Sequence, residues 1–206
     1  GENRYFQAGR ETPVFGLGTT TIAANICEDI WYPAGPTTDQ ALAGAELVVS
    51  INASPYHVGK AQFREKMLAT RAADNQTVLV YANAVGAQDG LIYDGGGFIF
   101  QNGRLVHEAP RFVEGAAAAI VDLDRTRRLR MEHTTWRADC EAFVLRERAV
   151  AVIRSAAETA DTSLLPYPAP AGGSFFLPAP SPPPVAARDA APDELFEAPA
   201  PGGARY

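Results

Sequence analysis

Short apolar runs alternate with polar stretches over the first two thirds of the chain. Val14–Leu17 and residues 20–27 form two apolar runs divided by a glycine-containing turn, which predicts two strands. Residues 46–52 and 77–84 are further runs that predict buried strands. Between them, residues 57–76 lack proline and β-branched runs, which predicts a helix. This alternation of strand and helix, with a short helix predicted over 37–44, indicates an α/β layered fold.

The pattern changes after the strand predicted at 77–84. Two apolar runs, 96–101 and 104–109, flank Asn102-Gly103. Because Asn-Gly supplies the positive φ angles of a type I′ turn, these runs predict a β-hairpin. A strand is predicted at 117–121. Residues 123 to about 160 are predicted to be helical in parts, with an interruption at 134–137.

Composition divides the chain into segments. Most of its 16 prolines fall between Pro166 and Pro201, a composition that a packed core cannot use. We therefore predict a globular domain over 1–139, a helical connection over 140–165, a proline-rich linker over 166–192 and a separate tail over 193–206.

Charge and cysteine content narrow the class of protein. A net charge of −6 and a pI near 5.1 argue against nucleic-acid binding. The basic cluster at 125–130 is predicted to be a solvated helical face rather than a phosphate site. No apolar run is long enough to span a bilayer. No metal site is expected, because metal-ligand spacing is absent among Cys27, Cys140 and the 3 histidines. Two cysteines so far apart also suggest no disulfide framework, so we expect a reducing cytoplasm.

Cys27 is the residue with the clearest chemical potential. It ends an apolar run and is followed at once by Glu28 and Asp29, so a strand would deliver a thiol to a sharp acidic turn. A thiol attacks as the thiolate and needs a nearby cation or base to activate it. The alternative for Cys27 is a small buried residue at a strand end. Cys140 lacks such a setting and is predicted to be structural.

Several further motifs follow one another in a recognisable order. They are Tyr5-Phe6 with Gly9, residues 25–31, residues 52–56 with Gly59-Lys60 and Arg64, residues 83–89, residues 93–96 and residues 134–137. Together they resemble the nitrilase superfamily and, more narrowly, the glutamine amidotransferase domains of glutamine-dependent NAD synthetases. The resemblance spans roughly Glu2 to Asp139. It implies an α-β-β-α sandwich, incomplete at the N-terminus, with the cysteine at the end of a central strand.

The resemblance also implies roles for individual residues. The family uses a Glu, Lys, Cys triad, in which Cys27 matches the nucleophile, and the backbone N–H of Glu28 is expected to help hold the oxyanion. Ser54 and Lys60 match the residues that contact glutamine, and the Glu28 carboxylate is expected to accept from the substrate ammonium. Taken singly, Ser54 could instead be a helix cap, Lys60 a solvated side chain and Glu28 a turn residue.

The family order places the triad glutamate and lysine before Gly1. The chain is therefore expected to be a fragment that does not release ammonia from glutamine by itself. At the other end, residues 193–197 resemble the start of a synthetase domain, so 193–206 is expected to be either that truncated start or a disordered tail.

The implied activity is glutamine hydrolysis that supplies ammonia for the ATP-dependent amidation of nicotinic acid adenine dinucleotide to NAD. No cofactor is expected in this chain, because ATP and Mg²⁺ belong to the synthetase domain, and the parent protein is expected to be a homo-oligomer. Two alternatives stay open: a stand-alone carbon–nitrogen hydrolase on another amide or carbamoyl compound, and a non-catalytic assembly remnant. Gly90 and Gly97 stand where the family usually has glutamate and serine, which affects fine substrate recognition.

Overall fold

A computed structural model describes Tyr5, Gln7, residues 13–146 and residues 152–154. Its strands are β1 (Val14–Leu17), β2 (Thr20–Ile26), β3 (Leu47–Asn52), β4 (Val78–Asn83), β5 (Val85–Gln88), β6 (Leu91–Asp94), β7 (Phe98–Gln101), β8 (Arg104–Glu108) and β9 (Val152–Arg154). Its helices are α1 (Pro36–Leu42), α2 (Lys60–Asp74), α3 (Leu123–Glu132) and α4 (Thr134–Leu145), and a 3₁₀ turn covers Cys27–Ile30.

Seven strands form one mixed sheet in the order β8-β7-β4-β3-β2-β1-β9, and β5 and β6 pair separately. β2, β3 and β4 run parallel at its centre, while β7 and β8 extend it as an antiparallel hairpin. The prediction of an α/β fold is confirmed. Because the three central strands are parallel, their carboxyl ends meet at one edge of the sheet, where open α/β sheets bind ligands.

The hydrophobic core lies on one face of the sheet. Side chains of the strands pack there against α2, with Val48, Leu68, Leu79 and Phe100 almost fully buried. On the opposite face Ile26 and Ile51 are 72% and 60% exposed. The described residues therefore supply one helix layer and one sheet layer of the expected sandwich.

Two Asx-Gly turns shape the sheet hairpins. Asn102 and Gly103 both have positive φ, 50° and 86°, which confirms the predicted type I′ turn between β7 and β8. The β5–β6 hairpin was not predicted, although its turn at Asp89-Gly90 carries the same signal and has φ values of 52° and 79°.

Two predictions of local structure are wrong. Residues 117–121 form no strand, because none of the other described segments pairs with them through the backbone. The break between the last two helices falls at His133 rather than over 134–137, since the His133 side chain accepts from the Trp136 N–H and caps α4. Within residues 140–165, where a helical connection is predicted, the last part of α4 is helical and β9 pairs with β1. The linker and tail, 166–206, lie outside the described residues.

The basic cluster at 125–130 is not simply a solvated face. Arg127 forms an ion pair with Glu46, and Arg130 donates to the carbonyls of Ala45, Asn75 and Gln76. These bonds attach α3 to the amino-terminal edge of the central strands.

Among the residues that the structure describes, no helix combines the length and the hydropathy needed to cross a membrane.

Replacing Gly103 with alanine is expected to destabilise the fold more than the same change at Gly90. Both glycines have φ near +80°, and a Cβ in that region costs about 1 kcal/mol. At Gly103 the new Cβ would also lie 2.8 Å from the Cβ of Ala73 on α2, whereas at Gly90 it meets open space. Urea unfolding should therefore show a loss about 1–2 kcal/mol larger for Gly103→Ala than for Gly90→Ala. Equal losses would contradict the contact with α2.

Candidate active site

The thiol of Cys27 lies at a sharp corner where β2 ends and the 3₁₀ turn begins. Cys27 has φ +46°, a conformation that is uncommon for a residue with a Cβ. The Asp29 carboxylate accepts from the Ile26 N–H at 2.9 Å, and the Trp31 N–H donates to the Glu28 carbonyl at 3.0 Å. These two bonds hold the corner closed on both sides of the free, partly buried thiol. The strand predicted over residues 20–27 therefore ends at Ile26, one residue before Cys27.

Ser54 lies in the loop that follows β3. Its N–H donates to the Asn83 side chain at 2.8 Å, and its carbonyl accepts from the same side chain at 3.4 Å. The residue is buried, 2% exposed. Ser54 is not a helix cap, because α2 begins later, at Lys60, with Gly59 as its N-cap residue.

Lys60 is the first residue of α2, and its side chain is partly buried. Its ammonium donates to the Pro55 carbonyl at 2.9 Å and lies 5.2 Å from the centre of the Trp31 ring. Burial lowers its pKa, and the charge of Arg64 adds to that effect. Asp94, Cys27 and Glu28 act in the opposite direction. Lys60 is therefore more than a solvated first-turn side chain.

The four residues predicted for the site converge at the carboxyl edge of the central strands. Cys27 follows β2, Ser54 follows β3, and Lys60 begins the helix after that loop. Cys27 and Glu28 both act to raise the pKa of Lys60, so the three side chains lie close enough to interact electrostatically. Glu28 is exposed in the turn. Its N–H belongs to the first turn of the 3₁₀ helix, where backbone donors have no intrahelical acceptor.

Tyr81 is a site neighbour that the sequence patterns did not reveal. Its ring is buried in the core and lies 5.7 Å below the Arg64 guanidinium. Burial raises the pKa of Tyr81 to about 12, while Arg64 and Ser54 oppose that rise. The phenol therefore stays protonated at neutral pH. In the β3–β4 register Tyr81 lies opposite Ser50, a pairing that the sequence by itself does not reveal.

Arg64, Asn83 and Asp94 are further neighbours without a predicted role. Arg64 and Asp94 are both fully buried, and Asn83 bridges Asp94 and the Ser54 loop. The sequence contained one signal for Arg64, since it follows Lys60 by one helical turn and so lies on the same face of α2.

The other candidates lie elsewhere. Cys140 is on α4, where burial raises the pKa of its thiol. Among the residues that the structure describes, no three or more His, Cys, Asp or Glu side chains group into a metal site. A cavity of about 650 Å³ lies between the β4–β7 part of the sheet and residues 109–118, and neither Cys27 nor Lys60 lines it. At its wall, a side chain at Gly97 would lie 3.3 Å from the Tyr81 carbonyl.

Comparison with protein families gives one match over most of the described residues. The family described as carbon-nitrogen hydrolase matches residues 2–131. Among curated proteins, the chain is similar to the glutamine-dependent NAD(+) synthetase of Aquifex aeolicus, with 42% identity over 137 residues, or 66% of this chain and 24% of that protein. It is 37% identical over 130 residues to the enzyme of the same name from Thermotoga maritima, covering 62% of this chain and 23% of that protein. The chain thus spans about a quarter of the length of these relatives.

Solved structures give the same picture. The glutamine-dependent NAD+ synthetase from Acinetobacter baumannii, solved with ADP, superposes with a TM-score of 0.53 at 38% identity. That superposition covers 55% of this chain and 22% of the other. A carbon-nitrogen hydrolase from Helicobacter pylori superposes with a TM-score of 0.57 over 72% of this chain and 57% of that chain. At 23% identity, the second likeness shows the fold alone.

Proposed function

The chain belongs to the carbon–nitrogen hydrolase family, and we propose that it is the glutamine-hydrolysing part of a glutamine-dependent NAD synthetase, with Cys27 as the nucleophile. The observation that carries this proposal is the convergence of Cys27, Ser54 and Lys60 at one sheet edge. The names of the curated relatives, at 42% and 37% identity, support glutamine as the substrate.

The proposed chemistry begins at the Cys27 corner. The sulfur attacks the side-chain amide carbon of glutamine, and the carbonyl oxygen becomes an oxyanion that the Glu28 N–H can hold. When the tetrahedral adduct collapses, the C–N bond breaks and the thiol proton, carried by a general base, leaves with the nitrogen as ammonia. Water then adds to the thioester, which releases glutamate and restores the thiol. In this scheme the general base is the glutamate of the family's triad. The lysine of that triad, which is a different residue from Lys60, supports the oxyanion.

The amino-acid end of glutamine would lie against the Ser54–Lys60 loop. The Lys60 ammonium suits the α-carboxylate, since a charge-assisted hydrogen bond is among the stronger polar contacts in proteins. The Ser54 hydroxyl can donate or accept, and the exposed Glu28 carboxylate can accept from the α-ammonium. These assignments extend the proposal to each predicted residue.

We further propose that the ammonia serves the ATP-dependent amidation of nicotinic acid adenine dinucleotide in a synthetase domain. The naming of both curated relatives as NAD(+) synthetases supports this role. A reducing compartment such as the cytoplasm fits the free thiols of Cys27 and Cys140. The parent protein is proposed to be a homo-oligomer.

The test is covalent capture, which needs the nucleophile and the glutamine subsite but not a complete turnover. The probe is a chloroketone analogue of glutamine, in which CH₂Cl replaces the amide NH₂ and the thiol sulfur displaces chloride. We expect one adduct at Cys27, formed at least about tenfold faster than at Cys140, with a rate that saturates and that free glutamine suppresses. Asparagine and propionamide should not suppress it.

One control variant completes this test, and two results would count against the proposal. Cys27→Ala should remove the saturable adduct and leave slow labelling of Cys140. Equal labelling of both cysteines without protection by glutamine would contradict the proposed glutamine site. Protection by propionamide as strong as that by glutamine would favour a hydrolase acting on simpler amides.

A further inference from the structure

A fully buried ion pair lies beneath the candidate site. Arg64 donates to both carboxylate oxygens of Asp94, at 2.9 and 3.2 Å, and to the Gly95 carbonyl at 3.3 Å. Arg111 approaches the same carboxylate at 3.6 Å. Neither the Arg64 nor the Asp94 side chain is exposed to solvent. Desolvation offsets much of the attraction within a buried ion pair, so stability alone is a weak reason for this one.

The pair connects to the first residue of the Ser54–Lys60 loop. The Asn83 side chain donates to Asp94 at 3.3 Å and to the Gly95 carbonyl at 3.0 Å. The same amide group bonds both the N–H and the carbonyl of Ser54. Asp94 therefore reaches the Ser54 backbone through one intermediate side chain.

The pair also fixes the last residue of the loop. Arg64 lies four positions after Lys60 on α2, so both side chains leave the same face of that helix. The two bonds between Arg64 and Asp94 restrain the rotation of α2 and with it the direction of Lys60. The middle of the loop is tied to the neighbouring strand, since the Tyr56 N–H donates to the Ile92 carbonyl at 2.7 Å.

We propose that Arg64 and Asp94 are positioning residues, which hold the Ser54 hydroxyl and the Lys60 ammonium at the separation that the α-amino-acid end of glutamine requires. The identity of that ligand rests on the proposed function, whereas the ordering of the loop does not. A planar guanidinium that bonds two carboxylate oxygens fixes the relative orientation of the two side chains, which a single point charge cannot do.

The test uses Asp94→Asn and Arg64→Lys in the full chain. Capture by the glutamine chloroketone is separated into a reversible binding constant and a maximal alkylation rate, and hydrogen exchange is followed for residues 53–60. In both variants we expect reversible binding to weaken about tenfold while the maximal rate stays within about twofold. Amide exchange in 53–60 should accelerate about tenfold, and exchange in β2 should not.

Arg127→Met is the matched control, because it breaks the ion pair with Glu46 at the opposite edge of the sheet. It is expected to lower stability without changing the binding constant. If Asp94→Asn does not fold, Arg64→Lys decides, since it keeps a cation beside the buried carboxylate. Folded variants with unchanged binding and unchanged exchange would overturn the proposal. A wild-type chain that glutamine does not protect would overturn the glutamine site alone, and exchange in 53–60 would still report whether the pair orders the loop.

Discussion

Replacing Arg130 with methionine is expected to lower the free energy of unfolding by about 3 kcal/mol, because three buried or partly buried carbonyls lose their donor at once. Arg130 donates to Ala45 at 2.7 Å, to Gln76 at 2.9 Å and to Asn75 at 3.1 Å. Asn75 is the C-cap residue of α2, so the cation also faces the negative end of that helix dipole.

Packing adds to the loss at Arg130. Its guanidinium lies 4.7 Å from the centre of the buried Trp136 ring on α4, so one side chain joins α3, α4 and the start of the central strands. Burial lowers the pKa of Arg130 to about 10, which still leaves it charged at neutral pH. Urea unfolding followed by circular dichroism measures the effect, and the thermal midpoint should fall by about 6–12 °C.

Arg128→Met is the control for Arg130. Arg128 is two positions away on the same helix, half-exposed, and paired with Asp122 at 3.5 Å. Exposed pairs of this kind contribute about 0–1 kcal/mol, so we expect a loss below about 1 kcal/mol. Equal losses at Arg128 and Arg130 would mean that general charge on α3, rather than the three carbonyl contacts, stabilises this end of the fold.

Replacing Lys60 with methionine is expected to remove most of the selectivity for an amino-acid-shaped reagent. The measured quantity is the ratio of two alkylation rates at Cys27, that of the glutamine chloroketone and that of neutral iodoacetamide. A cation bound to a carboxylate contributes about 1.5–3 kcal/mol, so the ratio should fall by about 10- to 100-fold. The ratio cancels any change in the thiol itself, which matters because Lys60 and Cys27 interact electrostatically.

Lys66→Met is the matched control for Lys60, since Lys66 is the other lysine of the chain and an exposed residue of α2. Its ratio of rates should equal that of the wild-type chain. If Lys60→Met also keeps the wild-type ratio, the ammonium does not contact the amino-acid end of the substrate. The loop would then have to recognise glutamine through Ser54 and backbone groups.

The local patterns predicted those features that depend on neighbouring residues. The alternation of apolar and polar positions predicted the central strands and α2, and Asn102-Gly103 predicted the β7–β8 turn, because φ preferences are a property of the residues themselves. The prediction of a strand at 117–121 was wrong because strand formation does not depend on neighbouring residues alone. A strand needs a hydrogen-bonding neighbour, and apolar composition does not provide one.

The roles of the arginines depend on contacts with distant residues, which local sequence patterns could not predict. A run of basic residues at 125–130 looks the same in sequence whether its side chains are solvated or tied to distant carbonyls. Arg130 meets Ala45 across 85 positions of the chain, and Arg64 meets Asp94 across 30. Such pairings follow from strand order and helix placement, which have no periodic signature in the sequence.

For this protein, the sequence alone determined the Cys27 corner, the loop that carries Ser54 and Lys60, and the family to which they point. Each rests on a short segment whose conformation depends on its own residues. Only the tertiary structure decided that this loop lies beside Cys27 and that the buried Arg64–Asp94 pair lies beneath it. The parallel pairing of β2, β3 and β4 brings the three strand ends to one edge, and burial of charge requires a partner that only the fold can supply.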